Sequence, residues 1–447
     1  MILSALLAEA APLLAALQPA FTQPTFPRFT LLMIAALLTS GRRTVANLLR
    51  TLGPLAPGHK TTYQRVFSAA SWSGLQLACL LARFLVAHFL PDGPILLVGD
   101  DTVDGHKGKN VYGKARHRDP VRSSHSYTAW RYGHKWVSLA VLVRFPFACR
   151  PWALPLLTDL YRTAEQNRQR RRPHRTPAQL MCRLLRLMLL WFPERCFVFV
   201  GDAGYGSHEV ARFCWRHRTR LTLVSKLHPD ANLHEPPPPY GGKGRPRQKG
   251  AKLAKPRQAA AAATLLPLQV GWYGGGSRQV AHASGVGSWY KAGSGLVPIH
   301  WVFVRDETGT HRDEYFFTTD QALTAEAVIA HYTSRWNIET TFQELRAYLG
   351  LETTRGWCRA TVLRLAPCLF GLYTVVALLY AALPESKRSG SISWPGKRVV
   401  TFSDALTVVR RWLWAEGVFS QAQDSLAMEK LPESLREIIF AALAPAA

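Results

Sequence analysis

The sequence contains few acidic residues for its length. Its 447 residues include 29 Asp and Glu against 55 Lys and Arg, which gives a formal net charge of +26. Hydrophobic residues make up 48% of the chain, enough to form a large core, so global disorder is excluded. A folded chain with this much positive charge favours a polyanionic partner, either nucleic acid or an anionic membrane.

Cysteine is also sparse, with seven residues and no C-x-x-C pair. An odd number without paired spacing argues against a disulfide framework and against a cysteine-based zinc site. This usage is typical of a reducing compartment.

Long apolar runs are rare, but one of them is long enough to be either a membrane-spanning helix or a buried helix. Residues 365–383 carry no charge over a length that could cross a bilayer. Pro367 and Gly371 interrupt the run, and the rest of the chain is strongly charged. We therefore predict a buried helix in a soluble protein and no membrane partner.

The first 90 residues show apolar positions at three- and four-residue spacing, which predicts helices. Thr44 is suited to cap a short helix that follows Arg42 and Arg43. Such a basic helical segment is typical of a small DNA-binding domain, with Arg42 and Arg43 contacting DNA. A solvated basic face is an equally good interpretation of the same pattern.

Two predicted strands end in acidic residues. The segment 95–102 is apolar and ends at Asp101, and the segment 196–202 ends at Asp202. If these strands are neighbours, both carboxylates lie at one edge of the sheet, and Glu339 on the predicted helix 324–349 can join them. Converging carboxylates repel unless divalent cations lie among them, so we expect two Mg²⁺ or Mn²⁺ ions.

Asp100 is an alternative to Asp101 as the first acidic ligand. Adjacent residues of a strand point to opposite faces, so only one of them can lie with Asp202 and Glu339. The Thr102 that follows favours Asp101, and the choice stays open.

The predicted Glu339 helix has a specific pattern. Tyr332, Arg335 and Glu339 follow one another at spacings of three and four, and Arg346 lies about two turns after Glu339. This pattern resembles the Tyr-x2-Arg-x3-Glu-x6-Lys signature of cut-and-paste DDE transposases from bacterial insertion sequences. Arg346 departs from the signature, which has Lys there, and Arg and Lys differ in how they bind phosphate.

The resemblance extends to the segments around Asp101-Thr102 and Asp202 and covers about residues 95 to 380. It implies that Asp101, Asp202 and Glu339 are catalytic and bind the metal ions, and that Tyr332, Arg335, Arg346 and Lys226 contact DNA. It also implies that Trp336 and a second aromatic residue hold a flipped base. Tyr315 is the nearest candidate for the second residue. Core packing is the alternative role for both aromatic residues, and it is the favoured role for Tyr315.

Together these observations predict an α/β protein with a ribonuclease H-like core, a mixed sheet flanked by helices. The expected units are a helical N-terminal DNA-binding domain (1–90), the two parts of the core (91–227 and 311–383), a basic loop and β-rich insertion (228–310) and a helical C-terminal region (384–447).

The expected function is DNA transposition, by metal-dependent strand cleavage at insertion-sequence ends and strand transfer into target DNA. Terminal inverted repeats and target DNA would be the partners, and a homodimer would join the two ends. We expect a bacterial cytoplasmic location at the nucleoid. The alternative is a catalytically inactive, transposase-derived DNA-binding protein.

Overall fold

The computed structural model describes residues 8–119, 122–124, 126–242, 244–388, 396–419, 428 and 430–445. Helices precede the first strand, as predicted. They are α1 (Ala11–Leu17), α2 (Phe26–Leu38), α3 (Val45–Leu52), α4 (Lys60–Ser68) and α5 (Gly74–Phe89). The Thr44 hydroxyl accepts a hydrogen bond from the backbone N–H of Asn47, so the predicted cap of α3 is confirmed.

A single mixed sheet forms the centre of the described part of the chain. Its strands are β1 (Ile95–Gly105), β2 (Ala115–Arg118), β3 (Trp130–Val143), β4 (Trp152–Tyr161), β5 (Phe197–Gly201), β6 (Leu221–Lys226), β7 (Leu233–His234), β8 (Leu266–Gly271), β9 (Ser277–Lys291), β10 (Gly295–Asp306) and β11 (Glu314–Thr318). The order is β2-β3-β1-β5-β6-β11-β10-β9-β7, while β4 pairs with β3 and β8 pairs with β9.

The middle of the sheet is parallel. Strand β1 runs parallel to β5, and β5 runs parallel to β6, whereas β3 and β11 run antiparallel to their neighbours. The two strands predicted to end in carboxylates are therefore direct neighbours. Strand β1, however, continues past Asp101 to Gly105, because the long β3 pairs with it as far as Gly133.

The segment predicted as a basic loop with short strands is more regular than expected. Strands β9 and β10 are long, and they form a hairpin whose register extends from Lys291 and Gly295 to Val280 and Asp306. Because β10 also pairs with β11, this hairpin extends the central sheet.

Helices cover the sheet. They are α6 (Ala164–Gln169), α7 (Pro177–Trp191), α8 (His208–Arg216), α9 (Pro256–Ala262), α10 (Ala325–Ser334), α11 (Asn337–Ala347), α12 (Arg359–Ala382), α13 (Phe402–Trp412) with a π-helical turn Leu413–Val418, and a C-terminal helix Glu433–Leu443. The predicted helicity of 401–443 cannot be compared at 420–427 and 429, which lie outside the described residues.

Helix α12 contains the apolar run discussed above. By length and composition it is the one helix in the described ranges that could cross a membrane, but two thirds of its most apolar window is buried inside the protein. It packs against β4 and α13. Its Thr374 hydroxyl donates to the carbonyl of Pro155 on β4 at 2.8 Å. This packing is that of a core helix.

The prediction of one continuous helix over 324–349 is wrong in one respect, because the segment forms two helices, α10 and α11. Side chains at the break bond to backbone carbonyls: Thr333 to Ala330, and Ser334 to His331 at 2.6 Å. Asn337 donates to the Ser334 carbonyl at 2.8 Å. Such local bonds compete with the helical ladder and end it.

Candidate active site

Asp202 lies at the start of a tight turn directly after β5. Its Oδ1 accepts hydrogen bonds from the backbone N–H groups of Gly204 and Tyr205, at 2.9 and 3.2 Å. The Ser225 hydroxyl on β6 bonds to the Asp202 carbonyl at 2.8 Å. Gly99 on β1 pairs with Gly201 on β5. The next residue on each strand, Asp100 and Asp202, therefore lies at the same level of the sheet.

Asp100 is the acidic residue of β1 that contacts the signature arginine. Its Oδ2 lies 2.8 Å from Arg335 Nη1. Burial, together with the negative charges of Asp202 and Asp101, raises the pKa of Asp100 to about 8, although Arg335 acts in the opposite direction. The two neighbouring charges show that Asp100, Asp101 and Asp202 share one electrostatic environment.

Asp101 points away from Asp100, as strand alternation requires, and pairs with Lys135 at 2.9 Å. Lys135 stands opposite Val103 on β3, so it is a diagonal neighbour of Asp101 on the same face. Burial and the charge of Asp202 raise the pKa of Asp101, while Lys135 opposes that rise. Lys135 was not predicted, because its proximity depends on the β1–β3 register.

Glu339 joins the group through Arg335. Its Oε1 accepts from Arg335 Nη2 at 2.9 Å, so one guanidinium bridges Glu339 and Asp100. Burial would lower the pKa of Arg335, but the carboxylates of Asp100 and Glu339 raise it above its usual range. The Glu339 side chain keeps 31% exposure, so it remains accessible.

Arg346 and Tyr332 make contacts within the protein. Arg346 Nη2 donates to the Thr102 hydroxyl on β1, and its Nε lies 3.3 Å from Glu352. Tyr332 is buried and stacks on Phe316 with ring centroids 4.3 Å apart. Both residues support the site from inside, and their contacts with DNA stay predictions.

Lys226 and Tyr315 lie near this support. Lys226 pairs with Glu314 at 2.7 Å, and its ammonium lies 5.7 Å from the Tyr332 ring. Tyr315 is partly buried and packs against Phe303 with centroids 5.0 Å apart. This contact is the core packing favoured for Tyr315, and its contact with DNA stays a prediction.

Trp336 is the exposed aromatic residue at the break between α10 and α11, with 47% exposure. Its nearest aromatic neighbour in the described structure is Tyr273, with centroids 6.2 Å apart, and Tyr273 stacks on His311. Tyr273 was not predicted. The Gly-rich segment after it gave no sequence signal, and only the fold brings it beside Trp336.

Arg42 and Arg43 are placed differently. Arg42 is exposed and lines a cavity of about 810 Å³. Arg43 is buried, and its guanidinium donates to the carbonyls of Ala36, Gly41 and Tyr348. Arg43 therefore links the N-terminal helices to the end of α11, whereas Arg42 remains available to a partner.

The donor set fits divalent oxygen-binding cations. Asp100, Asp101, Asp202 and Glu339 offer carboxylate oxygens, the ligands that Mg²⁺ and Mn²⁺ prefer. Burial raises the pKa of Asp100 and of Asp101, and the charge of Asp202 adds to both rises, so a bound cation would stabilise the ionised forms of these carboxyls.

Comparisons with known proteins identify the family. Residues 16–279 match the model described as "DDE superfamily endonuclease", and residues 289–370 match "Archaeal putative transposase ISC1217". No curated protein matches this sequence. A cryo-EM structure of a piggyBac transposase synaptic complex with hairpin DNA is 10% identical, over 95% of this chain and 77% of that one, with a TM-score of 0.43. Because the first model spans more than half of the 447 residues, the chain belongs to the DDE superfamily endonucleases.

Proposed function

We propose that this protein is a DNA transposase of the bacterial insertion-sequence group with the Tyr-Arg-Glu-Lys signature. The observation that carries the proposal is the joining of β1, Asp202 and α11. Arg335 bridges Asp100 and Glu339, while Asp202 follows the strand beside β1. The family match and the archaeal transposase model support the same activity.

The proposed core is ribonuclease H-like. Support comes from the two adjacent parallel strands β1 and β5, whose acidic residues meet at one place in a mixed sheet. The predicted division into N-terminal DNA-binding domain, two-part core, insertion and C-terminal region belongs to the proposal.

Asp101, Asp202 and Glu339 are the proposed catalytic metal ligands. Asp100 is the alternative to Asp101, and the bridge from Arg335 to both Asp100 and Glu339 favours this alternative. Two Mg²⁺ or Mn²⁺ ions held there would activate water or a 3′-hydroxyl and stabilise the leaving oxygen during phosphodiester transfer. Arg335 fixes the orientation of Glu339.

DNA would be held by the basic surface and by exposed aromatic residues. Lys226 and Lys135 supply positive charge near the site, and Arg42 supplies it at the cavity of about 810 Å³. Trp336 and Tyr273 present neighbouring rings on which an extruded base could stack. The two element ends would be joined by a homodimer in the bacterial cytoplasm, at the nucleoid.

The test is cleavage of a supercoiled plasmid that carries the gene with its native flanking DNA. We expect breaks at the element borders that require Mg²⁺, disappear with EDTA and are absent from Glu339→Gln. Glu326→Gln is the matched control, because Glu326 is an exposed glutamate on α10, outside the site. Cutting that survives Glu339→Gln would contradict the proposed site.

The second candidate function is an inactive DNA-binding descendant. Its supporting observation is that the signature residues Tyr332 and Arg346 are engaged in internal contacts. This protein would retard the same DNA without cutting it under any divalent cation.

A further inference from the structure

A second group of metal-binding residues lies beyond the acidic site on β1. Asp104, His106 and His134 place one potential ligand atom each within 4.8 Å of the others. Asp104 and His134 are fully buried, and the His106 side chain is only 9% exposed. The motif Asp-x-His thus meets a histidine on the neighbouring strand β3.

Each histidine lies at a ligand-like separation from one of the two carboxylate oxygens of Asp104. Asp104 Oδ2 lies 3.2 Å from His106 Nε2, and Asp104 Oδ1 lies 3.4 Å from His134 Nδ1. Two ligand atoms of a tetrahedral centre with bonds of about 2.0–2.1 Å lie roughly 3.3–3.4 Å apart.

The orientation of His134 supports the same conclusion. Its Nε2 lies 2.8 Å from the Tyr112 carbonyl, which only accepts hydrogen bonds, so Nε2 carries a proton. In a neutral imidazole Nδ1 then has a lone pair, and it faces a carboxylate oxygen. Two acceptors facing each other need a cation or an additional proton between them.

The Asp104 carboxylate also accepts hydrogen bonds from donors other than the two imidazole rings. The His134 backbone N–H donates to Asp104 Oδ1 at 2.9 Å, and Trp136 Nε1 donates to Oδ2 at 3.2 Å. Partners of this kind orient ligands in protein metal sites, as the Tyr112 carbonyl does for His134.

We propose that Asp104, His106 and His134 bind one divalent transition-metal ion of the Zn²⁺ type. Two imidazoles and a carboxylate suit Zn²⁺, whereas Mg²⁺ prefers oxygen ligands alone. The site is separate from the catalytic carboxylates, because Asp104 lies three residues beyond Asp101, about 10 Å along the strand. Water or an anion from solvent would complete the coordination.

The ion has a structural role in this proposal. It ties the end of β1 to β3 and, through His134 and the Tyr112 carbonyl, fixes the loop 106–114. That loop carries the exposed Lys107 and Lys109. Its first residue, His106, lines the cavity of about 810 Å³ that Arg42, Lys107 and Arg131 also line.

The test measures metal binding to the full-length chain after chelator dialysis. The catalytic variant Glu339→Gln serves as background, so that the result does not depend on the proposed transposase activity. We expect one equivalent of Zn²⁺ in competition with a chromophoric chelator, and Co²⁺ to give the visible bands of a tetrahedral site. Binding should weaken at least tenfold in His106→Ala and in His134→Ala. It should be unchanged in His88→Ala, since His88 is an exposed histidine on α5.

A second readout is limited digestion with trypsin. Zn²⁺ should protect the peptide bonds after Lys107 and Lys109 at least several-fold in the wild-type chain and not in His106→Ala. His106 is at the edge of the group, so its variant is expected to fold even if His134→Ala does not. Absence of stoichiometric binding, or binding that persists in a folded His106→Ala, would overturn the proposal and leave a proton shared by Asp104 and the histidines.

Discussion

Arg335 provides the sharpest test of how the site is held together. Its guanidinium makes charge-assisted hydrogen bonds of 2.8 Å to Asp100 and 2.9 Å to Glu339. Bonds to charged groups contribute about 1.5–3 kcal/mol each. Glu339 is partly solvated, and Asp100, whose pKa is about 8, can take up a proton when the cation is lost. We therefore expect Arg335→Met to lower the free energy of unfolding by about 3 kcal/mol.

The double-variant cycle with Asp100→Asn separates the ion pair from other effects. The neutral amide of that variant needs no counter-charge, so Arg335→Met should cost about 1–2 kcal/mol less in that background. Urea titration of the four proteins at pH 9, above the pKa of about 8 of Asp100, measures this coupling while Asp100 is ionised. Glu339→Gln alone should change stability by less than about 1 kcal/mol. Equal costs of Arg335→Met in both backgrounds would refute the bridge between Arg335 and Asp100.

Further predictions concern positions outside this bridge. Trp336→Ala should weaken binding to DNA with an unpaired base at the element end by about 1–3 kcal/mol, in a titration by fluorescence anisotropy, without changing the melting temperature. Arg43→Ala should destabilise the protein by about 3 kcal/mol, because it leaves buried carbonyls without donors. Arg42→Ala should change the free energy of unfolding by no more than about 0.5 kcal/mol. It should reduce the slope of log K for DNA binding against log salt concentration by about one. Equal stabilities of Arg42→Ala and Arg43→Ala would contradict the exposed position of Arg42 and the buried position of Arg43. Gly133→Ala should lower the free energy of unfolding, measured by urea titration, by about 4 kcal/mol or more, because the added Cβ would overlap the Asp104 carbonyl oxygen. Gly276→Ala is the control and should leave stability unchanged, since the space around Gly276 is open. A stable Gly133→Ala would contradict the β1–β3 register.

Local signals in the sequence predicted many elements of the fold. Thr176 and Gln179 form a capping box, and α7 begins at Pro177, which is the usual place for proline in a helix. Strand β5 follows its apolar run closely. Strand β4 was missed, since Pro155 lies inside it, and the register shifts there between Leu139 and Ala140 so that the proline is accommodated.

The prediction of the site was limited for a different reason. The sequence indicated which acidic residues could converge, and β1 and β5 are indeed neighbours. Contacts across long separations were not predictable from residue types. Arg335 reaches Asp100 over 235 positions, and Lys135 approaches Asp101 only through the strand register. Residue patterns identify individual ligands, whereas their partners depend on the whole fold.

The central claim is that Asp101, Asp202 and Glu339 hold the metal ions that cut DNA. The most direct measurement is a change of metal preference in the plasmid cleavage assay. A thiolate binds soft cations better than Mg²⁺. Asp202→Cys should therefore be inactive with Mg²⁺ and recover activity with Mn²⁺, while Asp202→Ala stays inactive with both. Equal activity of Asp202→Cys with the two ions, or activity of Asp202→Ala with Mg²⁺, would contradict the account.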